Sequence, residues 1–215
     1  MEKIVISVVA GATGDIGEEF VASLCARGDR VVAIARSSEK LEALSSKYDQ
    51  IDPVAICDIS KLNGLRIDNL IICIGEHFSG NFFDNSYEEY QSSIASNFLE
   101  PIKIFKLLQD SLAEGSNIVF LNSAASKSPS PSEGPYGVAK SALTKFIEST
   151  AYFGRQRKLN IVNVIFGAAQ TKMTLNRADY ANLIAPKELV HSILSTLHHY
   201  PSLMIRSIEI ERRRI

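Results

Sequence analysis

An apolar segment that runs straight into three evenly spaced glycines limits what the N-terminal part of this chain can become. Residues 3–10 are rich in isoleucine and valine, as in a strand buried on both faces of a parallel sheet. Gly11, Gly14 and Gly17 follow at once and open a segment with apolar residues at helical spacing. The backbone N–H groups of such a turn, with the positive end of the helix dipole, can hold a pyrophosphate. Its position after a buried strand favours dinucleotide binding over a merely tight turn.

Further segments along the chain predict the α/β class. Strands are expected at residues 30–35, 54–57, 69–74, 117–121, 160–165 and 203–210, and longer helices at 86–110, 136–154 and 186–198. Pro101 interrupts the first of these helices, so a kink is expected near Asn97. Ser38 is expected to cap a shorter helix. Only a turn or two fits between the third and fourth strands.

Length, charge and cysteine usage exclude several classes of protein. With 215 residues and 46% hydrophobic content, the chain predicts a single domain over residues 1–215. The net charge of −1, with interspersed signs, argues against partners such as nucleic acid or an anionic membrane. The N-terminal apolar run is too short for a membrane span or a signal peptide. Cys25, Cys57 and Cys73 form no disulfide pattern, so we expect buried free thiols and a cytoplasmic location.

The end of the second predicted strand bears on the choice of cofactor. An NAD site commonly places an acidic residue about 20 residues after the glycines, where it binds the ribose 2′-hydroxyl. This chain has Arg36 there, followed by serines, and no acidic residue. A guanidinium can bind a 2′-phosphate, so Arg36 favours NADP(H) over NAD(H), although a solvated arginine at a helix start fits the same pattern.

A tyrosine and a lysine four residues apart, Tyr136 and Lys140, lie on one face of a predicted helix. A nearby ammonium stabilises a phenolate and lowers the pKa of the phenol, which can then act as a general acid or base. Taken alone, the pair also fits an ordinary helix-start aromatic and a surface lysine. Ser123 follows the fifth strand at the sheet edge where ligands bind in open parallel sheets. His77 has no identifiable partner and is expected to be structural or exposed.

Together these positions resemble the short-chain dehydrogenase/reductase family over nearly the full length. Tyr136-x-x-x-Lys140 matches the family's catalytic pair, Ser123 lies 13 residues upstream, and Asn97 falls at the family's helical asparagine. By this resemblance, Tyr136 exchanges a proton with the substrate oxygen and Ser123 hydrogen-bonds that oxygen. Lys140 binds the nicotinamide ribose and lowers the pKa of Tyr136, while Asn97 holds a water in a proton relay. No metal is implied, and the adjacent His198 and His199 do not face a common ligand.

The resemblance also implies a fold and a cofactor site. The fold is a single-domain, Rossmann-like, doubly wound parallel sheet of about seven strands with helices on both faces. Asp58 resembles the residue that contacts the adenine, and Thr171 resembles the threonine that contacts the nicotinamide amide. The residues expected at the cofactor are Gly11, Thr13, Gly14, Asp15, Ile16, Gly17, Arg36, Asp58, Ile59, Gly75, Tyr136, Lys140, Gly167 and Thr171.

The sequence departs from the family pattern around the cofactor. The family turn is Thr-Gly-x-x-x-Gly-x-Gly, but here Ala10 replaces the threonine and Asp15 replaces the second glycine. Asp15 is expected to weaken pyrophosphate binding unless its side chain caps the helix and points away. The family's Asn-Asn-Ala-Gly is Ile-Cys-Ile-Gly at residues 72–75, and its Pro-Gly is Phe-Gly at 166–167. These changes affect cofactor geometry more than the four catalytic positions.

Three functions fit these observations. The first is an NADP(H)-dependent oxidoreductase that transfers a hydride between nicotinamide and a small or medium carbonyl or alcohol, with residues 172–185 as the substrate loop. The second is a non-catalytic dinucleotide sensor or scaffold of the same fold. The third is a sugar-nucleotide epimerase or dehydratase, which the short stretch after Thr171 disfavours. By resemblance, a homodimer or homotetramer is expected through the helices at 86–110 and 136–154.

Overall fold

The computed structural model of the chain describes residues 4–129, 132–197 and 203–212. Its strands form one seven-stranded sheet in which all neighbours are parallel. The strands are β1 (Ile6–Ala10), β2 (Arg30–Ala35), β3 (Ile51–Ala55), β4 (Ile67–Ile72), β5 (Leu112–Leu121), β6 (Asn160–Phe166) and β7 (Ser207–Ile210). The α-helices of the described residues are α1 (Asp15–Ala26), α2 (Ser38–Ser45), α3 (Tyr87–Ile94), α4 (Glu100–Leu108), α5 (Gly134–Gly154) and α6 (Pro186–Thr196). The predicted α/β class with about seven parallel strands is confirmed.

In the strand order β3-β2-β1-β4-β5-β6-β7, the direction in which the chain adds strands to the sheet reverses between β1 and β4. The chain moves outward from β1 to β2 and β3, and then continues at β4 on the opposite side of β1. Loops that leave the carboxyl ends of β1 and β4 therefore separate, and the crevice between them is where ligands bind in such sheets. This edge carries the glycine turn after β1 and the segment around Gly75 after β4.

Helices cover both faces of the sheet, as doubly wound topology requires. Side chains of α1, α2 and α6 pack with Val9 and its neighbours in one buried cluster. Side chains of α4 and α5 pack with Val8 on the opposite face in a second cluster. Adjacent strand residues enter different cores because side chains alternate across a strand, which is why the strands are apolar on both sides.

The predicted helix at 86–110 is divided into three parts. Ser86 starts α3 with a capping box in which its side chain accepts from the Glu89 N–H and Glu89 binds back. A π-helical turn, Ala95–Leu99, then separates α3 from α4, whose first turn contains Pro101. Proline has no N–H to donate, so the regular pattern of helical hydrogen bonds breaks just before it. The interruption of the α-helix contains Asn97, where the sequence predicted a kink, and it takes the form of a π-helical turn.

Several sequence predictions need correction. The cap of α2 is Ser37, whose side chain accepts from the Lys40 N–H, because the helix already begins at Ser38. Strand β3 lies at 51–55 rather than 54–57, and residues 56–62 form a 3₁₀ turn within the short connection to β4. Cys57 sits on that turn and is exposed, whereas Cys25 is buried and Cys73 is partly buried; the three are free thiols.

The described residues contain neither a membrane-spanning helix nor a cluster of metal-binding side chains. None of their helices has the length and apolar character needed to cross a membrane. They also contain no group of three or more His, Cys, Asp or Glu side chains able to hold a metal ion. His198 and His199, for which the sequence predicted no metal binding, lie outside the described residues.

The second core depends on three phenylalanine rings. Phe120 is fully buried, and its ring centroid lies 6.0 Å from that of Phe105 and 6.1 Å from that of Phe146. We expect Phe120→Ala to lower the free energy of unfolding by about 3–5 kcal/mol, since it leaves a cavity that neighbours cannot fill. Urea titration followed by circular dichroism measures this change. Phe83→Ala, at a position that is 90% exposed, is the control and should change stability by less than about 1 kcal/mol.

Candidate active site

The glycine turn brings the start of α1 close to the end of β1. Gly11 has φ +88°, and a Cβ there would lie 3.0 Å from the Cys73 carbonyl carbon and oxygen. A Cβ on Gly17 would collide with the Gly11 carbonyl oxygen. Gly14 is the N-cap of α1, and no side chain caps this helix. The N–H groups of the first helical turn therefore have no side-chain partner there and face the crevice side of the sheet, as a phosphate site requires.

Asp15 does not cap α1 but contacts a segment far along the chain. Its Oδ2 accepts a hydrogen bond of 2.6 Å from the Lys172 backbone N–H, and its Oδ1 lies 3.4 Å from Lys172 Nζ. The expected problem of an unpaired carboxylate beside a pyrophosphate is therefore reduced, because a cation lies next to it. Thr13 and Ile16, on either side of this part of the turn, are partly exposed.

Two charged side chains lie just after the carboxyl ends of β2 and β3. Arg36, at the end of β2, extends to Glu76 after β4, with 3.0 Å between Arg36 Nη2 and Glu76 Oε1. Asp58, on the 3₁₀ turn after β3, pairs with Lys61 at 2.8 Å. Ile59 beside it is buried and packs in the second core. Arg36 and Asp58 each have an ion-pair partner that the sequence did not indicate, and their contacts with a cofactor stay a prediction.

Asn97 is fully buried in the π-helical turn and binds the backbone after β4. Its Nδ2 donates to the Glu76 carbonyl oxygen at 2.8 Å, and its Oδ1 accepts from the Glu76 N–H at 3.1 Å. A Cβ on Gly75 would lie 2.8 Å from Asn97 Oδ1 and 3.3 Å from Lys140 Nζ. Only glycine lets the backbone pass between these two side chains without displacing them.

Lys140 is buried, and its Nζ donates to the Leu121 carbonyl oxygen at 3.2 Å. Burial lowers the pKa of Lys140 to about 8, an effect that the nearby Cys73 thiol partly opposes. Its Nζ also lies 5.6 Å from the centroid of the Tyr136 ring. The one-turn spacing in α5 therefore does bring the phenol and the ammonium together, as the sequence predicted.

The pKa of Tyr136 does not follow the sequence prediction. Burial raises it to about 12; a hydrogen bond with Ser123 opposes this increase, and the negative charge of Glu133 adds to it. The lowering expected from Lys140 is wrong for this structure. Desolvation disfavours the phenolate, and the same burial disfavours the charged form of Lys140. Ser123, which also accepts from the Ala125 N–H at 3.2 Å, is where the prediction placed it.

His77 is a neighbour of Tyr136 that sequence reasoning missed. The two rings meet edge-on, with 5.6 Å between centroids and an interplanar angle of 65°. His77 Nδ1 lies 4.0 Å from Glu133 Oε1. The loop that carries His77 is held there by backbone pairing, in which the Gly80 N–H donates to the Ser132 carbonyl at 2.8 Å. No local pattern in the sequence signals this pairing, since the two segments are distant along the chain.

Gly167 and Thr171 follow β6 at the same edge of the sheet. The Gly167 N–H donates to the Ile210 carbonyl at 3.2 Å. Thr171 is the N-cap of a short 3₁₀ turn, and its N–H donates to Thr174 Oγ1 at 3.1 Å. Thr171 directly precedes Lys172, so the contact of Lys172 with Asp15 holds Thr171 near the glycine turn.

A groove of about 700 Å³ opens beside Glu133. It lies between Asn81 and Phe82, residues 125–129 and the first turns of α5. Phe82 and Val138 give it apolar walls, and both are more than a third exposed. The groove thus lies next to the first turn of α5, which carries Tyr136.

Comparisons with known proteins agree with this arrangement. The family model described as short chain dehydrogenase matches residues 5–181. The very-long-chain 3-oxoacyl-CoA reductase of Podospora anserina is 26% identical over 212 residues, which cover 89% of this chain and 62% of that protein. Dehydrogenase/reductase SDR family member 7B of Bos taurus is 24% identical over 195 residues, covering 80% and 60% respectively. The chain thus spans about 60% of the length of these relatives.

Solved structures show the same fold. The alcohol dehydrogenase of the archaeon Thermococcus sibiricus, complexed with 5-hydroxy-NADP, superposes with a TM-score of 0.85 at 17% identity. The match covers 97% of this chain and 96% of that one. The family model accounts for most of the chain, and the fold and the order of the sequence motifs agree with it. The protein belongs to the short-chain dehydrogenase/reductase family of oxidoreductases.

Proposed function

We propose that this protein is an NADP(H)-dependent oxidoreductase that transfers a hydride between nicotinamide and a small or medium carbonyl or alcohol. The observation that carries the proposal is the convergence of Ser123, Tyr136, Lys140 and Asn97 at the sheet edge that bears the glycine turn. We further propose that residues 1–215 act as one domain and that the protein works in the cytoplasm, consistent with its free thiols.

The residues at the crevice fit a dinucleotide. A Cβ on Gly11 or Gly17 would contact neighbouring backbone atoms, so only glycine allows the tight packing of this turn. The start of α1 has no side-chain cap, so its N–H groups are available to a pyrophosphate. Arg36, Asp58 and Thr171 lie around the same edge, where they would hold the adenosine and nicotinamide ends. The bound cofactor would supply or accept the hydride.

We assign each of the four side chains a role, and the role of Tyr136 follows from its protonation state. A pKa of about 12 keeps the Tyr136 hydroxyl protonated at neutral pH. It is then ready to donate a proton to the oxygen of a carbonyl that is being reduced. Ser123 donates a hydrogen bond to the same oxygen. Lys140 holds the nicotinamide ribose, and Asn97 keeps the segment after β4 against Lys140, where a water in the relay would bind.

The groove beside Glu133 supports a substrate with an apolar portion, since Phe82 and Val138 line it. The relatives named very-long-chain 3-oxoacyl-CoA reductases suggest 3-oxoacyl-CoA thioesters as the first carbonyls to test, with the acyl length varied from short to very long. Residues 172–185 would close the other side of the site. A non-catalytic sensor is the second candidate, favoured by the replacement of the family's glycine by Asp15.

Apolar side chains on the outer surface of α4 and α5 support association through these helices. Leu107 of α4 and Tyr152 and Phe153 of α5 are 44%, 62% and 68% exposed, and Leu99 just before α4 is 52% exposed. Exposed apolar groups on adjacent helices commonly mark protein–protein contacts. We propose a homodimer or homotetramer formed through this surface.

Replacing Tyr136 by phenylalanine separates an enzyme from a sensor. We expect Tyr136→Phe to lower kcat for carbonyl reduction about 10²- to 10⁴-fold, since the proton donor is lost. NADPH binding, measured by nucleotide fluorescence, should stay within a factor of about three, since the ring remains. Tyr152→Phe, on the exposed face of α5, is the matched control. Wild-type protein that binds NADPH but reduces no carbonyl, with Tyr136→Phe indistinguishable from it, would favour the sensor.

The charge of Glu133 should be visible in the pH dependence of alcohol oxidation, in which Tyr136 accepts a proton. With a phenol pKa of about 12, kcat/KM should rise with pH and reach no plateau below pH 10. Glu133→Gln removes a negative charge that disfavours the phenolate, so the pKa of Tyr136 falls and the rising limb moves to lower pH. Glu148→Gln, on the outer side of α5, should leave the profile unchanged. A shift to higher pH in Glu133→Gln contradicts this assignment.

Arg36 should decide between the two cofactors. We expect Arg36→Gln to weaken NADPH binding about 10- to 100-fold, the magnitude of a lost charge-assisted hydrogen bond, with little change for NADH. Calorimetric titration with both nucleotides measures the difference. Arg30→Gln, at the other end of β2 and paired with Asp52, is the control. Equal losses for NADPH and NADH would show that Arg36 does not read the 2′-phosphate.

A further inference from the structure

We propose that Asp15 is a positioning residue that fastens residues 168–184, here named the strap, to the glycine turn and so keeps the bound dinucleotide from leaving. This inference rests on the proposed function, because it concerns the same cofactor. It gives Asp15 a role opposite to the one suggested by its charge alone, which is repulsion of a pyrophosphate.

Both carboxylate oxygens of Asp15 are engaged by the strap. Oδ2 accepts from the Lys172 backbone N–H at 2.6 Å, although the two residues are 157 positions apart in the sequence. Oδ1 lies 3.4 Å from Lys172 Nζ, and the Asp15 side chain is 27% exposed. The bond to the backbone fixes the position of the strap itself, while the bond to the ammonium places a positive charge beside the carboxylate.

The strap behaves as one unit because its own hydrogen bonds close it. The Gln170 N–H donates to the Ile184 carbonyl at 2.9 Å, and the Ile184 N–H donates to the Ala168 carbonyl at 3.2 Å. Gln170 Nε2 also donates to the carbonyls of Tyr180, at 3.3 Å, and Ala181, at 3.1 Å. A contact at Lys172 therefore constrains the strap as a whole rather than one loose residue.

The far side of the strap has a second attachment. Arg212, which follows β7, binds Asp179 Oδ2 at 2.6 Å, and Arg177 binds the same carboxylate at 2.9 Å. The strap is thus tied at Asp179 to the end of the sheet and at Lys172 to the start of α1. Only the second of these contacts crosses to the crevice where the dinucleotide would lie.

The position of Asp15 explains why a carboxylate there need not oppose an anion. It is the first residue of α1, where the positive end of the helix dipole stabilises a negative charge. With the Lys172 ammonium next to it, the local charge close to the pyrophosphate is partly balanced. Thr171, beside Lys172, is held toward the nicotinamide end by the same contact.

Stopped-flow displacement of NADPH distinguishes a fastener from a repelling charge. If Asp15 fastens the strap, Asp15→Ala speeds NADPH dissociation about 10-fold, the order of magnitude of one charge-assisted hydrogen bond. Asp15→Asn gives a smaller increase, because its amide oxygen still accepts from the Lys172 N–H. If Asp15 only repels phosphate, both variants slow dissociation and tighten binding, and the proposal is overturned.

Glu18→Gln is the matched control for charge. Glu18 lies in the same first turn of α1, and its carboxylate faces Lys47 at 3.8 Å rather than the strap. Neutralising it removes the same unit of charge near the phosphate site without touching residues 168–184. The rate of NADPH dissociation from Glu18→Gln should be unchanged or lower. An increase equal to that of Asp15→Ala would overturn the proposal.

Hydrogen exchange at the Lys172 amide tests the contact without any cofactor. We expect slow exchange of this amide in the wild-type protein and at least 10-fold faster exchange in Asp15→Ala, with the amides of β6 unchanged as a check that the variant is folded. Fast exchange in the wild type overturns the fastening. A wild type that protects this amide but binds neither NADPH nor NADH instead overturns the proposed function and, with it, the role toward the dinucleotide.

Discussion

The two hydrogen bonds between the Asn97 side chain and the Glu76 backbone hold the site together. They join the segment after β4 to the break between α3 and α4, two parts of the chain that no regular pairing connects. Gly75, held by this contact, lies against both Asn97 and Lys140, so the position of the buried ammonium depends on it too. The π-helical turn is what points the Asn97 side chain inward, and such turns are common at functional sites.

Burial controls the electrostatics of the pair in α5. Water is removed from both Tyr136 and Lys140, and desolvation works against the charged form of each group. The pKa of the phenol therefore rises to about 12 while that of the ammonium falls to about 8, so at neutral pH Tyr136 is uncharged and Lys140 is still mostly protonated. At neutral pH such a protonated phenol can donate a proton but has little capacity to accept one.

Two of the departures from the family's sequence pattern, Asp15 and Cys73, are accompanied by a local contact. Where the family turn has a glycine, Asp15 binds the strap. Where the family has two asparagines at the end of β4, this chain has Ile72 and Cys73, and the Cys73 thiol lies close enough to Lys140 to oppose the fall in its pKa. Asp15 and Cys73 thus lie at the glycine turn, whereas Ala10 and Ile72 are buried in the second core.

The sequence by itself determined the α/β class, the parallel strands and the broken helix at Asn97. These follow from short-range physics: runs of β-branched residues, glycines that alone permit tight turns, and a proline that cannot donate. The same local rules placed Tyr136 and Lys140 on one helical face. They also missed the exact ends of β3 and β7 and the exposure of Cys57, because such details depend on how neighbouring elements pack.

Only the tertiary structure decided which distant groups meet. The pairing of Asp15 with Lys172, of Arg36 with Glu76 and of His77 with Tyr136 joins segments that the sheet brings to one edge. The direction of the Tyr136 pKa shift likewise depends on burial, a property of the whole fold rather than of residue spacing. Spacing along a helix determines which side chains can be neighbours, but packing determines how much water remains around them, and water sets the cost of their charges.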